Sequence, residues 1–464
     1  MCTKNSVRKE IRRTYSVCPV CLKRIPAVQA AYGREVYLEK TCPEHGDFSA
    51  ILWRGFVDME AWREGCTPIA EGENENCPHG CGLCPDHRQG TCCVLLEVTK
   101  RCNLNCAFCF AEGGSGEDIP FETVCRQLKK LAVPGETLVQ LSGGEPTMRD
   151  DLPKIVAAAK DAGCRYVQLN TNGIRLAESL DYVRSLAEAG LSFVFMQFDG
   201  TKDGIYEKLR GEALFDLKKK AIENCDRCNI GVTLVPTLVP GVNISDIGNI
   251  IKFAVSQAPA VRGVHFQPVS YFGRMPDPPV DDMRFTLDEL LKEIDEQAGD
   301  IIPPDSISHS RCNHPMCGFH GDYIAMGGHT LYPLRKAAGD CACCNTGNQK
   351  GVAIPDTEGF TAEEKRSYVA RKWKRPESVQ CCPSGGSVNI GQDKCGCNSN
   401  NEEAGIDTLE GFLKRMQSHS FTITAMAFQD AGNIDLERLR RCSLHVYDDG
   451  RHVPFCAYYL SGHG

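Results

Sequence analysis

The middle of the chain alternates short apolar runs with amphipathic stretches of helical length. Six runs have the composition of buried strands: 93–99, 137–142, 166–170, 193–198, 231–237 and 262–268. Five helical stretches lie between them, near 121–133, 150–162, 177–190, 217–229 and 244–257. Strands that alternate with helices of this length are typical of a parallel α/β sheet. Six such steps favour a partial (β/α)6 barrel over a small open sheet, and the chemistry of such barrels lies at the carboxyl ends of the strands.

The chain on either side of this region does not follow the pattern. Its first part is turn-rich, with one strand-like alternation at 35–38, and the polar run EGENEN at 71–76 is typical of a linker. After a Pro-rich connection and one helix at 275–305, the chain becomes rich in cysteine. We therefore predict four units: a small N-terminal metal unit at 1–75, a cluster-binding segment at 76–92, the α/β core at 93–305 and a cysteine-rich auxiliary-cluster domain at 306–464.

Cysteine is the residue type whose abundance sets the class of this protein. The 464 residues include 28 cysteines, many at spacings that suit metal ligation better than disulfides. The polar, basic N-terminus lacks the apolar segment of a secretion signal, and no apolar run reaches the roughly 18 residues of a membrane-spanning helix. We therefore expect a cytoplasmic metalloprotein, because disulfides are rare in that compartment. The net charge of −8 argues against nucleic acid as the main partner.

The strongest motif follows the first predicted strand. Cys102, Cys106 and Cys109 form a C-x3-C-x2-C array at its carboxyl end. Three thiolates at this spacing can hold three irons of a 4Fe–4S cluster, whose usual complement is four, so one iron stays open to a small molecule. The second strand ends in GGEP at 143–146, where two glycines allow a ligand to approach the backbone and a carboxylate can accept hydrogen bonds. A closed cluster or a zinc knuckle at 102–109 is the alternative.

This combination resembles the radical S-adenosylmethionine (SAM) superfamily over roughly 93–300. The resemblance implies that Cys102, Cys106 and Cys109 ligate a 4Fe–4S cluster whose open iron chelates the amino and carboxylate groups of SAM. It also implies that one electron cleaves SAM to methionine and a 5′-deoxyadenosyl radical, which abstracts a substrate hydrogen. The implied SAM contacts are Phe108, near the adenine, and Gly143, Gly144 and Glu145, at the methionine amino group.

Later strands end in further polar residues, which include NTNG at 170–173 and Gln267. We expect Asn172, Gln197 and Asp199 to bind SAM or substrate, because they stand at the strand tips where such barrels carry their chemistry. The alternative is that these residues only form the turns after the strands.

Another cysteine group precedes the core. Cys77, Cys81 and Cys84 repeat the C-x3-C-x2-C spacing, but a fourth ligand, Cys92, is at hand. Four ligands predict a closed auxiliary 4Fe–4S cluster, which moves electrons or shapes a site without binding SAM. Cys93 competes as the fourth ligand, but it begins the first strand. A zinc site is the alternative.

The N-terminal unit carries spacing typical of a zinc ribbon. Its candidate ligands are Cys18, Cys21, Cys42 and His45. Zinc would fold a unit that is too small to fold well alone. A rubredoxin-like iron is the alternative, although the histidine favours zinc, and a third interpretation is an unmetallated turn with free thiols.

A narrower resemblance extends over nearly the whole chain. The strings CPVCLKRIPA, CPEHGDF, CPHGCGLCPDH, HFQPVSYFGR, RCNHPMC and VPFCAYYL resemble one radical SAM subfamily. It includes archaeal tetraether lipid synthases, some described earlier as hydroxymethylpterin methylases, and bacterial radical SAM (seleno)proteins. By analogy, Cys312 and Cys317 join Cys442 and Cys456 in one more auxiliary cluster. The cysteine-rich segment 341–400 departs from the lipid enzymes, which leaves a lipid and another small molecule both open as substrate.

The remaining cysteines divide into two sets. A further metal site, a redox loop and a disordered insertion are all open for Cys341, Cys343, Cys344, Cys381, Cys382, Cys395 and Cys397. We interpret the others as ordinary thiols: Cys2, Cys66, Cys125, Cys164, Cys225 and Cys228.

We therefore predict a radical SAM enzyme that abstracts hydrogen from an unactivated C–H bond, for methylation or for C–C bond formation. Auxiliary clusters would accept or relay an electron, and a one-electron donor such as ferredoxin or flavodoxin is implied. The alternative is a multi-cluster electron carrier without substrate radical chemistry, although such a carrier needs neither GGEP nor the six-step α/β pattern. A third hypothesis is a zinc-ribbon interaction module fused to a degenerate enzyme.

Overall fold

The structure is a computed structural model of the chain. It describes residues 6–64, 77–79, 82–275, 279–310, 312–326, 330–336, 352–354, 370–376 and 408–460. Several cysteines discussed above therefore lie outside the described residues: Cys2, Cys66, Cys81 and all seven between 341 and 397. In these described ranges no helix is long and apolar enough to cross a membrane.

The N-terminal unit is a four-stranded antiparallel meander. Its strands, paired in chain order, are β1 (Arg8–Val17), β2 (Arg24–Tyr32), β3 (Glu35–Cys42) and β4 (Gly46–Trp53). Because successive strands run in opposite directions, the first and third turns lie at the same end of the sheet. The turns at 18–23 and 43–45 are therefore neighbours, and they carry the candidate zinc ligands. A short helix, α1 (Met59–Trp62), follows the sheet.

The core is a parallel sheet whose six strands pair in chain order. These strands are β5 (Cys93–Arg101), β7 (Leu138–Gly143), β8 (Tyr166–Thr171), β9 (Phe193–Gln197), β10 (Gly231–Val235) and β12 (Val261–Pro268). Two short strands, β6 (Ser115–Asp118) and β11 (Thr237–Leu238), pair with β5 and β12. All six residues of β7 are buried, which explains its continuous apolar run, since parallel strands are covered on both faces.

Helices connect the core strands. They are α2 (Phe121–Leu131), α3 (Leu152–Asp161), α4 (Ile174–Glu178), α5 (Leu180–Glu188), α6 (Asp203–Arg210), α7 (Phe215–Arg227) and α8 (Ile247–Ser256), and α9 (Leu287–Ala298) comes after the last core strand. The predicted order of strands and helices is confirmed. The stretch at 177–190 is divided, because α4 ends just before Ser179, whose side chain caps α5. The sequence pattern did not predict α6.

The chain after 306 extends the core sheet at both edges. Its strands are β13 (Ile307–His309), β14 (Gly318–Met326), β15 (Thr330–Lys336), β16 (Val352–Ile354), β17 (Ser420–Met426), β18 (Leu444–Asp448) and β19 (Arg451–Pro454). Its helices are α10 (Leu409–Ser418), α11 (Leu436–Arg440) and α12 (Phe455–Leu460). Strand β17 pairs in parallel with β12, and β18 pairs in parallel with β5. The C-terminal strands thus cover both edges of the barrel core, while the unit boundaries drawn from the sequence stay predictions.

Buried polar contacts fix the N-terminal sheet against the C-terminal segment. The carboxylate of Asp435 is fully buried and accepts hydrogen bonds from Thr14 at 2.7 Å, Gln29 at 2.7 Å and Arg12 at 2.6 Å. Because a buried carboxylate needs such donors, separation of the two parts would leave it unpaired. The N-terminal sheet therefore has one defined orientation on the α/β core.

Candidate active site and metal centres

The loop after β5 places three thiols at one cavity. Its start is fixed because the backbone N–H of Cys102 donates to the carbonyl of Gly114 at 2.9 Å. Its end is fixed by two backbone hydrogen bonds of 3.0 Å between Cys109 and Arg274. Cys102, Cys106 and Cys109 all line a cavity of about 440 Å³ that the core strands enclose. The structure therefore brings the predicted triad together.

The electrostatics of this triad suit the binding of a metal cluster. Burial raises the pKa of Cys102 to about 11, and the charges of Glu145, Cys106 and Cys109 add to that effect. Three thiolates here need compensating positive charge, which the irons of a cluster supply. The donor set of three clustered sulfurs therefore fits a 4Fe–4S cluster with one iron left without a protein ligand.

Gly143 and Gly144 are required by the protein's own backbone. Gly143 has a φ of +127°, and a Cβ there would lie 2.2 Å from the carbonyl oxygen of Thr99. At Gly144 a Cβ would lie 2.2 Å from the carbonyl oxygen of Arg101. No side chain fits between these two backbone segments. The sequence predicts that these glycines allow a ligand to approach, and in the structure the end of β5 also passes close to both of them.

Glu145 ties together the ends of β7 and β8. Its carboxylate accepts hydrogen bonds from the hydroxyl of Thr171 at 2.7 Å, the backbone N–H of Asn172 at 2.6 Å and the backbone N–H of Thr147 at 3.0 Å. It is buried and lines the cavity. A carboxylate held this rigidly on a cavity wall favours a cationic ligand group, because a buried charge is stabilised by a partner of opposite sign.

Asp199 is fully buried and does not line the cavity. Its two oxygens accept hydrogen bonds from the Arg210 guanidinium at 2.8 and 2.7 Å, and one also accepts from the backbone N–H of Thr237 at 3.2 Å. Arg210 is the member of this pair that lines the cavity, and it interacts with Cys106. Asp199 therefore positions Arg210, and its direct contact with SAM stays a prediction.

Asn172, Gln197 and Gln267 line the cavity. The Oδ1 of Asn172 also accepts a hydrogen bond of 3.1 Å from the backbone N–H of Ile174, which starts α4. The Oε1 of Gln197 accepts one of 3.1 Å from Lys218. Asn172 therefore helps to form the turn after its strand, which was the alternative interpretation, and it also lines the cavity.

Phe108 lines the cavity and packs edge-on against Tyr271, with ring centroids 6.2 Å apart. Other apolar side chains form much of the remaining wall, among them Leu138, Phe195 and Val235. Such a wall excludes water from the volume next to the thiol triad.

Sequence reasoning missed Arg210 and Lys218. Arg210 is the last residue of α6, a helix that the hydrophobic pattern did not reveal. Lys218 is fully buried beside the site, and burial lowers its pKa to about 8. It begins the run KKK at 218–220, so only the rotation of α7 about its axis shows which of these lysines faces inward.

The four candidate zinc ligands form one group. Their ligand atoms all lie within 4.8 Å of one another: Cys18, Cys21, Cys42 and His45. The Nδ1 of His45 is 3.4 Å from the Sγ of Cys42 and 3.6 Å from that of Cys18. Zn–S bonds of about 2.3 Å and Zn–N bonds of about 2.0 Å place tetrahedral ligands roughly 3.5–3.8 Å apart. The observed separations fit a bound zinc ion.

Two family descriptions match the chain. Residues 96–254 match the radical SAM superfamily, and residues 10–54 match the HMPTM N-terminal zinc ribbon domain. The 7,8-dihydro-6-hydroxymethylpterin dimethyltransferase of Methanocaldococcus jannaschii is 33% identical, over 96% of this chain and 93% of that protein. The chain belongs to the radical SAM superfamily. The predicted radical SAM enzyme with a zinc-ribbon unit is therefore confirmed, and membership implies SAM and a 4Fe–4S cluster as cofactors.

Other radical SAM relatives match less of the chain. Fe-coproporphyrin III synthase of Methanosarcina barkeri is 30% identical over 56% of this chain and 65% of its own length. A probable GTP 3′,8-cyclase of Methanothermobacter marburgensis is 30% identical over 38% of this chain and 58% of its own length. Resemblance over almost the whole chain is thus a property of the pterin dimethyltransferase and is not shared by these two relatives.

Two thiols where the segment before the core meets β5 reach the cavity of the radical SAM enzyme. Cys92 lines the cavity, and its backbone N–H donates to the carbonyl of Ser443 at 2.7 Å. Cys77 is buried in an apolar cluster that contains the C-terminal helix α12. Cys93, the competing ligand, lines the same cavity as Cys92. Since Cys81 lies outside the described residues, ligation by Cys77, Cys81, Cys84 and Cys92 stays a prediction.

Three of the four thiols in the predicted C-terminal group meet. Cys317, Cys442 and Cys456 line a small cavity, whereas Cys312 lines the large one. Burial raises the pKa of Cys456 to about 12, and the nearby Cys317 contributes. The guanidinium of Arg438 donates to the sulfur of Cys317 at 3.5 Å. Cys312 lies on the wall that also carries Cys92, so ligation of one cluster by all four cysteines stays a prediction.

The thiols interpreted as ordinary lie apart from these groups. Cys164 and Cys225 belong to the hydrophobic core, where burial raises their pKa values to about 11 and about 12. Cys125 lies on α2, and Cys228 follows α7. That they bind no metal stays a prediction.

Proposed function

We propose that this radical SAM enzyme methylates a pterin-like heterocycle at an unactivated C–H bond. The observation that carries the proposal is the 33% identity to the dihydrohydroxymethylpterin dimethyltransferase over nearly the full length of both chains. This similarity extends far beyond the superfamily core at 96–254 and includes the zinc ribbon at 10–54. The parts that flank the core, which contribute to the cavity wall, are therefore shared with an enzyme that acts on a pterin.

When bound, the 4Fe–4S cluster supplies the electron that splits SAM and thereby the radical that removes a substrate hydrogen. The chain holds and orients the reactants. Cys102, Cys106 and Cys109 would ligate the cluster, and the buried carboxylate of Glu145 would bind the SAM ammonium group. Arg210, held by Asp199, would place a positive charge beside the cluster ligand Cys106.

The apolar part of the wall supports radical chemistry in another way. A carbon-centred radical reacts with whatever hydrogen donor it meets, so the site must exclude alternatives to the substrate. Phe108, Phe195 and Val235 line the cavity and carry no S–H, O–H or N–H group that could react or hold water. This is the enclosure that hydrogen abstraction from an unactivated carbon requires.

We further propose that the remaining thiol groups bind auxiliary 4Fe–4S clusters and that a one-electron donor such as ferredoxin or flavodoxin reduces the enzyme. The convergence of Cys317, Cys442 and Cys456 supports one such centre, and the position of Cys92 on the cavity wall supports another. Iron and zinc analysis of anaerobically purified protein tests this. We expect more iron than one cluster contains, and iron for a single cluster would contradict the proposal.

Product analysis tests the reaction. Protein reconstituted anaerobically is incubated with dithionite, SAM labelled in its methyl group and 6-hydroxymethyl-7,8-dihydropterin. We expect 5′-deoxyadenosine and a pterin heavier by one or more methyl groups, and the label shows whether these come from SAM or from another donor such as a folate. The variant Cys106→Ser should form neither product, while Cys125→Ser, whose thiol lies on an outer helix, should form both.

Two other outcomes would replace the proposal. Clusters that reduce normally while no 5′-deoxyadenosine forms would support an electron carrier. Cleavage of two SAM molecules for each new C–C bond, with no carbon transferred, would support coupling of two alkyl carbons.

A further inference from the structure

Three polar side chains form a row across neighbouring strands of the sheet. They come much later in the chain than the thiol loop at 102–109. His265 on β12 stands opposite Thr424 on β17, and Thr424 stands opposite His320 on β14. All three line the large cavity. All three strands lie beyond the superfamily match at 96–254, and two of them belong to the region after residue 306. The row is therefore a feature that the flanking region adds to the common core.

Hydrogen bonds fix which nitrogen of His265 carries the proton. The Nδ1 of His265 lies 2.8 Å from the hydroxyl oxygen of Thr424. That hydroxyl donates its only proton to the carbonyl of Val264 at 3.4 Å, since a carbonyl can only accept. Both contacts are satisfied together only when the hydroxyl oxygen accepts from the histidine, and we therefore assign the hydrogen to Nδ1. Nε2 of the neutral ring is left with a lone pair.

The ring is neutral at physiological pH. Burial lowers the pKa of His265 to about 4. Within the described part of the chain, no hydrogen bond is made to Nε2, although the residue lines the cavity. An occupant that displaces water from an acceptor on a cavity wall binds more weakly if it offers no donor in return, because the acceptor is then left without a hydrogen bond. The position therefore selects an occupant with an N–H or O–H group.

The surroundings of His265 define the shape and charge of that occupant. The rings of Phe195 and His265 are 5.5 Å apart, and Trp373 packs edge-on against Phe195 at 4.8 Å. The nearby charge of Asp322 is already compensated, because this carboxylate pairs with Lys372 and with His320, the latter at 2.8 Å. Aromatic walls beside a neutral acceptor suit a flat, uncharged ring system with a hydrogen-bonding edge.

We propose that the Nε2 of His265 accepts a hydrogen bond from a ring N–H or amino group of the substrate, which is a neutral, planar nitrogen heterocycle. Thr424 acts as a positioning residue that keeps the lone pair of His265 on the cavity side. This inference rests on the proposed function and adds the residue pair that recognises the substrate. An alkyl chain would leave this acceptor unpaired, so the row selects against lipid.

Binding of a pterin to the intact holoenzyme tests the inference. Equilibrium dialysis under anaerobic conditions measures the affinity for 6-hydroxymethylpterin, whose free concentration is read by its fluorescence after chromatography. We expect His265→Phe and Thr424→Val to bind about ten-fold more weakly, because each removes or reorients one buried acceptor. His265→Gln, which can place an amide oxygen near the position of Nε2, should recover most of the affinity.

A matched control separates recognition from packing. Thr233→Val makes the same isosteric change on the neighbouring strand β10, at a buried hydroxyl that forms no hydrogen bond within the described ranges. Its affinity should equal that of the wild type. Wild-type protein that fails to bind the pterin would overturn the proposed substrate and this inference together. Pterin binding that is equally tight in His265→Phe and Thr424→Val would overturn the inference alone.

Discussion

Replacement of Asp199 by asparagine is the most informative single change in the core. The side chain is fully buried, and Arg210, its partner, is only 8% exposed. Asparagine keeps the size of the side chain but removes its charge, and it turns one acceptor into a donor that faces the guanidinium. Arg210 then remains buried without its carboxylate partner, whose two hydrogen bonds to the guanidinium are 2.7 and 2.8 Å long.

The magnitude follows from that unpaired charge. Removal of one partner from a buried ion pair costs about 3–5 kcal/mol, because the remaining charge keeps its desolvation penalty. The backbone N–H of Thr237, which donates to Asp199 at 3.2 Å, adds to the loss. Strand β9 ends just before Asp199, and strand β10 ends just before Thr237. We therefore expect both strands to open more readily in Asp199→Asn.

Hydrogen–deuterium exchange with mass spectrometry measures this opening locally, which suits a chain with several units better than one global transition. Protection of the β9 and β10 amides should fall by roughly two to four orders of magnitude. The control Asp246→Asn changes a buried carboxylate that accepts from Thr201 but forms no ion pair in the described ranges, so it should lose far less. The double variant Asp199→Asn/Arg210→Met should regain protection. Unchanged protection in Asp199→Asn, or an equal loss in Asp246→Asn, would refute the reasoning.

Three further predictions concern other parts of the enzyme. Gly144→Ala should abolish SAM binding in equilibrium dialysis, because its Cβ would lie 2.2 Å from the Arg101 carbonyl, whereas Gly204→Ala, with open space around it, should bind normally. Cys42→Ser should lose zinc by elemental analysis and expose the N-terminal strands to deuterium exchange, since a tetrahedral site cannot keep its affinity with one ligand missing; retained zinc would contradict the assignment. His265→Phe should make stability depend less on pH between 6.5 and 4. Folding lowers the pKa of His265 from 6.5 to about 4, so in this interval the unfolded state binds a proton that the folded state does not. Wild-type stability therefore falls as the pH drops from 6.5 to 4. Urea midpoints of both proteins across that interval check the last prediction, and parallel curves would disprove it.

Local patterns predicted most of the core. Each of the six strands is a short apolar run, and parallel strands covered on both faces must be apolar along their length. Metal ligands separated by two or three residues lie on one loop whatever the fold, so the triad at Cys102 and the zinc ribbon at Cys18 could be inferred from spacing. The role of Asp199 was less accessible. Its place after a strand suggested contact with a ligand, but whether the carboxylate faces the cavity or an arginine depends on where α6 places Arg210, 11 residues later.

What the sequence determined by itself was therefore the repeat of strands and helices, the cysteine groups of short spacing and the superfamily, because these depend on residues that are neighbours along the chain. Only the tertiary structure decided that the C-terminal strands cover both edges of the barrel, that Cys317, Cys442 and Cys456 meet while Cys312 faces the large cavity, and that His265 and Thr424 stand opposite each other. The most distant of these contacts, between Cys93 and Leu444, joins residues about 350 positions apart. Strand pairing and helix rotation establish them, and neither is encoded in any single stretch of sequence.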